Sequence, residues 1–267
     1  MNNIIVISDT HFGSSVAVAK EHMLDDGGTY IPGPIQMKLA DLWDDFWEWA
    51  YDLIKHESYT LVHNGDVVDG DHHHSTQVSS ANLVVQESLA YDMLEPHAMS
   101  PLCKHYFQIR GTGVHVGDAG ETEERIAKRL NADRTGSDTF SRWELWLKSH
   151  DDLIHFSHHI GNTSSSAYES SAMRREMVSA YEDAGVWNRR PPTILVRAHT
   201  HRFIRVEDPK MIGIKLPAWQ SKTAFVYKID RLRGPMFGGI VIRTEPGQRA
   251  SVAERIYTLK QTESVAI

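Results

Sequence analysis

Five short apolar runs in this chain each lead into an aspartate or a histidine, and no other feature restricts its fold as much. Residues 3–8 run into Asp9-Thr10-His11, and 58–63 run into Asn64-Gly65-Asp66-Val67-Val68-Asp69-Gly70. Residues 105–109 precede Arg110-Gly111-Thr112-Gly113-Val114-His115, 152–157 precede His158-His159, and 193–197 precede Ala198-His199-Thr200-His201. The runs are short, and the first and last are rich in β-branched residues with no polar alternation, as expected of strands buried on both faces. Ligand-type side chains placed at such strand ends converge on one rim of a sheet. The chain has 16 histidines, and several of them fall in these clusters.

The segments between the runs alternate with them. From Ile35 to about His56, Leu39, Leu42, Trp43, Phe46, Trp49, Ala50 and Leu53 recur at spacings of three and four, the mark of a helix with one apolar face. The tryptophans of that helix, Trp43, Trp47 and Trp49, are read as core rather than as a ligand platform. Further helices are expected over about 80–95, over Glu121–Leu130, where acids come first and bases last, and near 166–183. Residues 13–34 form a long polar connection, which marks a functional loop or a lid. Residues 142–148 read as a strand, and from about Phe203 the chain is β-rich with turn signals at Asp208-Pro209, Arg233-Gly234-Pro235 and Pro246-Gly247. With no internal repeat or linker, a single α/β domain over 1–267 with two packed sheets is expected.

Composition removes several alternatives. The formal net charge of −7 gives no whole-chain basic character of the kind that coats nucleic acid, although a metal-centred cleft attracts phosphate locally. A single cysteine, Cys103, excludes an internal disulfide and a cysteine-rich zinc site, and its setting beside an apolar stretch reads as a buried, inert thiol. The first residues lack a basic segment and a cleavage site, and no apolar run approaches the ~20 residues needed to cross a bilayer. The expectation is a cytoplasmic protein that does not enter a membrane.

Carboxylates and neutral imidazoles together suit zinc, manganese or iron. Two such ions ~3.5–4 Å apart can share a carboxylate, activate water and clamp a phosphate. Each motif alone is weak evidence; their order and placement are far more specific. Taken together, Asp9-Thr10-His11, Gly65-Asp66-Val67-Val68-Asp69 and Ala198-His199-Thr200-His201 resemble the motif series of the calcineurin-like metallophosphoesterase superfamily over roughly residues 3–203. The resemblance implies two mixed β-sheets in a sandwich flanked by helices, a four-layer arrangement with the site at one edge. It also implies that Asp9, His11 and His201 hold one divalent metal ion, and that Asp66 bridges to a second. His199 and either His158 or His159 would hold that second ion, with His158 preferred because it comes first after the strand. Asp69 would orient a ligand imidazole.

The chain departs from that series at the third motif. Gly111-Thr112-Gly113-Val114-His115 stands where Gly-Asn-His is expected, so the asparagine ligand is missing and the histidine comes two residues later. Thr112 offers a hydroxyl in its place, and His115 is expected to reach the site as general acid through a glycine-permitted turn. Ala198 stands where the series has glycine. Outside the motifs, His72-His73-His74 is read as a solvated loop, with phosphate contact at the rim as the functional alternative. His155 is read as a satisfied sheet histidine, and Arg174, Arg175, Arg189 and Arg190 as solvated. Arg110 and Arg202, each beside a motif, are candidates for substrate charge. The activity implied is phosphoester hydrolysis by a metal-bound hydroxide, on a phosphodiester or nucleic acid in the first instance. A phosphomonoesterase acting on a protein or small metabolite, and a non-catalytic scaffold with a decayed site, are the alternatives. The cofactors would be two divalent ions of manganese, iron or zinc, and the partner a phosphoester substrate, with nucleic acid and nucleotides among the classes allowed.

Overall fold

The computed structural model describes residues 1–72, 75–161, 165–229 and 234–259. In chain order these form β1 (Asn2–Ile7), a small hairpin of β2 (His22–Met23) and β3 (Thr29–Tyr30), α1 (Pro34–Leu53), β4 (Tyr59–His63) and α2 (Leu83–Ala98). There follow β5 (Cys103–Ile109), the single turn α3 (Gly113–Val116), α4 (Glu121–Arg129), β6 (Ser141–Arg142), β7 (Glu144–Ser149), β8 (Asp152–Ser157) and α5 (Ser171–Val186). The chain continues through β9 (Ile194–Arg197), β10 (Ile204–Glu207), β11 (Ile212–Lys215), α6 (Ala224–Ile229), β12 (Phe237–Thr244) and β13 (Ser251–Tyr257).

Two mixed sheets hold the architecture. The first has strand order β13-β12-β1-β4-β5-β6 and the second β10-β11-β9-β8-β7. In the first, β1, β4, β5 and β6 pair in parallel, while β12 pairs antiparallel with both β1 and β13. In the second, β8, β9 and β11 are parallel, with antiparallel β7 and β10 at the edges. The continuous apolar sequence of β1 follows from its burial on both faces. Ile4 and Val6 meet Ile154, Phe156, Val196 and Ile214 between the sheets. Ile5 and Ile7 face the opposite side, against Leu39, Trp43 and Phe46 of α1. A third cluster, including Met173 and Met177 of α5 with Leu195 and Met211, covers the outer face of the second sheet. The result is four layers: helices, sheet, sheet, helix. Among the described residues no helix is long and apolar enough to cross a membrane.

Several local expectations change. Helix α1 buries Trp47 rather than Trp49, because Trp47 stacks on His97 of α2 at 3.7 Å between ring centroids. The connection 13–34 is pinned, not open: β2 and β3 pair, and Gln36 donates to Ser14 O while accepting from Gly33 N and the Tyr30 hydroxyl. The β-rich part from about Phe203 contains a helix, α6. The helix expected near 166 begins at Ser171 after a tighter turn at Ser166–Tyr168. Cys103 is only partly buried, and that burial pushes its thiol up to about 11.

Trp43 connects this framework to the site. It is fully buried, and its ring meets Trp219 at 4.9 Å and Phe12 at 6.0 Å. Phe12 follows His11 directly, and Trp219 N donates to Asp9 O at 2.9 Å. Trp43→Ala should therefore cost about 3–5 kcal/mol in urea unfolding. It should also weaken metal binding in protein that remains folded, measured by calorimetric titration.

Candidate metal centre

The parallel strands of both sheets end at one rim, and the ligand-type residues follow them. Asp9 and His11 come after β1, Asp66 and Asp69 after β4, Thr112 and His115 after β5, His158 after β8, and His199 and His201 after β9. Three groups of side chains there could each hold a metal ion: Asp9, His11 and His201; Asp66, His158 and His199; and His11, Asp69 and His115. Both sheets contribute, so the site spans the seam between them. Asn64 Nδ2 donates to Ser157 O at 3.1 Å, and His158 Nδ1 donates to Asn64 O at 2.7 Å, which ties β4 to β8 across that seam.

The backbone is strained where the ligands lie. Asp9, His11, Asp66, His199 and His201 have φ of 51°, 43°, 55°, 74° and 54°. Left-handed φ costs a residue with a Cβ about 1–2 kcal/mol. Such strain persists only where the surroundings over-determine it, and it gathers at functional sites. Here the turns between strand and loop are tight enough to place both members of an Asp-x-His or His-x-His pair on the same rim.

Asp66 lies at the meeting point of the groups. Its Oδ2 is 3.0 Å from His158 Nε2 and 3.9 Å from His11 Nε2. Asp9 Oδ1 is 3.4 Å from His201 Nε2 and 4.0 Å from both His11 Nε2 and His158 Nε2. The Nε2 atoms of His11 and His201 approach to 3.1 Å. His158 is buried and aims Nε2 inward, whereas its neighbour His159 is exposed.

The altered third motif is accommodated by a turn of helix. Gly113 keeps an ordinary φ, so the glycine-permitted turn expected there does not form. Instead α3 brings His115 back over the site, with its ring 4.6 Å from that of His11. Thr112 N donates to Asp66 Oδ1 at 2.6 Å, and its hydroxyl donates to Asp66 Oδ2 at 3.2 Å. That same hydroxyl is 3.1 Å from His199 Nδ1 and, having given its proton to Asp66, accepts from Nδ1–H. Thr112 therefore orients Asp66 and fixes the His199 tautomer with Nε2 as the free nitrogen.

Charge dominates the energetics. Burial alone would raise the Asp9 carboxyl, but the charge of His158 and the imidazole of His201 beside it bring it down to about 2. Asp66, subject to the same penalty, is held well below the ordinary range chiefly by His158, and Asp69 is held low by His11 and His72. Conversely, burial would lower His158, yet Asp66 and Asp9 push it up to about 10. His115 goes the other way: burial and the charge of His11 bring it down to about 4, while Nδ1 donates to Asp69 O at 2.6 Å. Asp9 Oδ1 and His158 Nε2 are buried without a hydrogen-bond partner among the described residues. Ionised carboxylates facing imidazole nitrogens at 3.0 to 4.0 Å are a donor set that suits divalent zinc, manganese or iron. Such an ion would displace the imidazole protons that balance the carboxylates here.

Some contributors are absent from the sequence motifs. Gln220 Nε2 donates to Asp69 Oδ1 at 2.8 Å, and that same oxygen is 3.4 Å from His11 Nδ1. His72, read as solvated, lies 3.7 Å from Asp69 Oδ2 with its ring 4.4 Å from that of His115. His73 and His74 lie outside the described residues. His155 pairs with Glu144 and Arg197 in the second sheet. Arg202 lines the cleft and is anchored by Glu169, while Arg110 is committed to Ser141 and Glu124 and does not line it. The cleft has a volume of about 510 Å³ and runs from His11, Asp66 and His201 past Gln77 to Lys222 and Lys228.

No family model matches this chain, and no curated protein matches it. Among solved structures, it is similar to Vps29 of Entamoeba histolytica complexed with zinc, at 12% identity over 96% of this chain and 98% of that one, with a TM-score of 0.44. A novel archaeal phosphodiesterase is 11% identical over 96% and 99% of the two chains, with a TM-score of 0.43. A predicted phosphoesterase of Streptococcus pneumoniae is 12% identical over 95% and 98%, with a TM-score of 0.34. These structures are of the calcineurin-like metallophosphoesterase superfamily. All three TM-scores lie below 0.5, so the residues of the site itself carry the functional reading.

Close backbone approach gives a direct test. A Cβ on Gly111 would collide with Asp66 Oδ1 and the Asp66 backbone, and one on Gly65, where φ is +94°, would collide with the His158 ring. Gly65→Ala and Gly111→Ala should each lose ~10–100-fold in affinity for Mn²⁺ while keeping a folded circular-dichroism spectrum. Gly136→Ala, in open space, should leave the affinity unchanged.

Proposed function

We propose that this chain is a metal-dependent phosphoester hydrolase with a binuclear centre, acting on a phosphodiester such as a nucleic-acid strand. The observation that carries this reading is the position of Asp66. One carboxylate oxygen faces His158 of one ligand group and His11 of another, at the base of an open cleft. In this reading Asp9, His11 and His201 would hold one ion and His158 and His199 the other, with Asp66 available to both. Manganese, iron and zinc fit the donor set. Divalent ions bound there supply Lewis acidity toward phosphoryl oxygen and lower the pKa of water.

The chain's own groups do the remaining work. Asp69, itself held by Gln220, fixes the His11 ring through Nδ1. His115 has Nδ1 committed to Asp69 O, so Nε2 is the nitrogen from which a proton can pass to the leaving oxygen. The ring is neutral in the free site, and the negative charge of bound phosphate favours its protonated form. Arg202, Lys222 and Lys228 also line the cleft, and their positive charge suits a substrate that continues beyond the scissile phosphate, as a diester does.

A matched assay on aryl phosphate diester and monoester with Mn²⁺ should show faster turnover of the diester, abolished by EDTA. Faster turnover of the monoester would redirect the substrate class. No turnover of either by protein shown to carry metal would favour a scaffold. His115→Ala should lower kcat by ~10²–10⁴ at unchanged metal content, with the deficit shrinking as the leaving group becomes more acidic. Undiminished turnover in that variant would remove the role of His115.

A further inference from the structure

Glu123 is a buried carboxyl group with no cation among its contacts in the described residues. It belongs to the first turn of α4, has 0% exposure, and lies directly beneath two of the ligand-bearing loops. Its Oε2 accepts from Gly111 N at 2.6 Å, and its Oε1 accepts from Val67 N at 3.3 Å and from Gln108 Nε2 at 3.4 Å. Gly111 follows β5 and immediately precedes Thr112; Val67 follows β4 and immediately succeeds Asp66. One carboxylate thus spans the ends of two adjacent parallel strands.

The bonds alternate along the loop. Gly111 N points down to Glu123, and the next amide, Thr112 N, points up to Asp66 Oδ1 at 2.6 Å. A shift of this segment would therefore disturb both carboxylates. Beneath Glu123 the polar network is closed. Gln108 Nε2 also donates to Ile109 O at 2.7 Å, and the Tyr106 hydroxyl donates to Gln108 Oε1 at 2.6 Å, with all three side chains buried. Burying an unpaired carboxylate is costly unless its oxygens are satisfied by donors. Of its donors, two are backbone amides of the ligand loops.

We infer that Glu123 is a positioning residue that sets the spacing of the Asp66 and Thr112 loops, and so holds Asp66 where it faces both ligand groups. The inference rests on the metal-site reading above. Glu123→Gln keeps the shape but replaces one accepting oxygen with an amide that opposes a backbone N–H. Gln108→Leu cuts the network below while leaving both backbone contacts of Glu123 in place, and so controls for loss of stability alone.

The experiment is calorimetric titration of the full chain with Mn²⁺, well below the unfolding midpoint, for the parent protein, Asp66→Asn, Glu123→Gln and Gln108→Leu. Metal binding by the parent and its loss in Asp66→Asn establish the site. Given that, Glu123→Gln should bind at least tenfold more weakly, and Gln108→Leu within twofold of the parent, although both unfold at lower temperature. Folded Glu123→Gln with unchanged affinity, or the same loss in both network variants, would overturn the positioning role while leaving the metal site intact. A parent chain that binds no Mn²⁺ would overturn the metal-site reading and this inference with it.

Discussion

Mutual repulsion among buried carboxylates is the constraint on which the rest of this structure depends. Asp9, Asp66 and Asp69 are all nearly inaccessible to solvent and share one rim. Without compensation such a cluster would unfold the rim or protonate. The surrounding imidazoles provide the compensation in the free protein, which is why His158 is pushed up to about 10 while Asp9 falls to about 2. A stronger positive charge in the same place relieves the same repulsion without the protons.

The fold can be understood as the means of holding that cluster together. Parallel strands from two sheets bring their ends to one edge, and hydrogen bonds such as Asn64 to Ser157 O and His199 N to Asp9 Oδ2 close the seam. The left-handed φ at five of the ligand-type residues shows that local conformational preference has been overridden there. What offsets that strain is the packing below: Trp43 against Phe12 and Trp219, and Glu123 against the backbone of the two central loops.

Much of this was legible before any coordinates. Runs such as Ile4–Ile7 are apolar at consecutive positions because both faces are covered, so they announce strands between two layers. Asp9, His11, Asp66, His199 and His201 could be picked out because each follows such a run within a few residues. What was not legible depends on partners remote in sequence. Gln220 meets Asp69 across 151 positions, and Glu123 looks like one more acid at the start of a charged helix until its contacts with Gly111 and Val67 are seen. The choice of Trp47 over Trp49 is set by His97 on another helix, which no periodicity within α1 reports. His115 was displaced by two residues in the motif, and only the geometry of α3 shows how it returns to the site.

The central claim is that the rim is a site for a pair of ions sharing Asp66. It is tested most directly by measuring metal content per chain, by elemental analysis of protein purified without a histidine tag and equilibrated with Mn²⁺. The account predicts about two equivalents, both lost in Asp66→Asn. About one equivalent, or none, in the folded parent protein would contradict it.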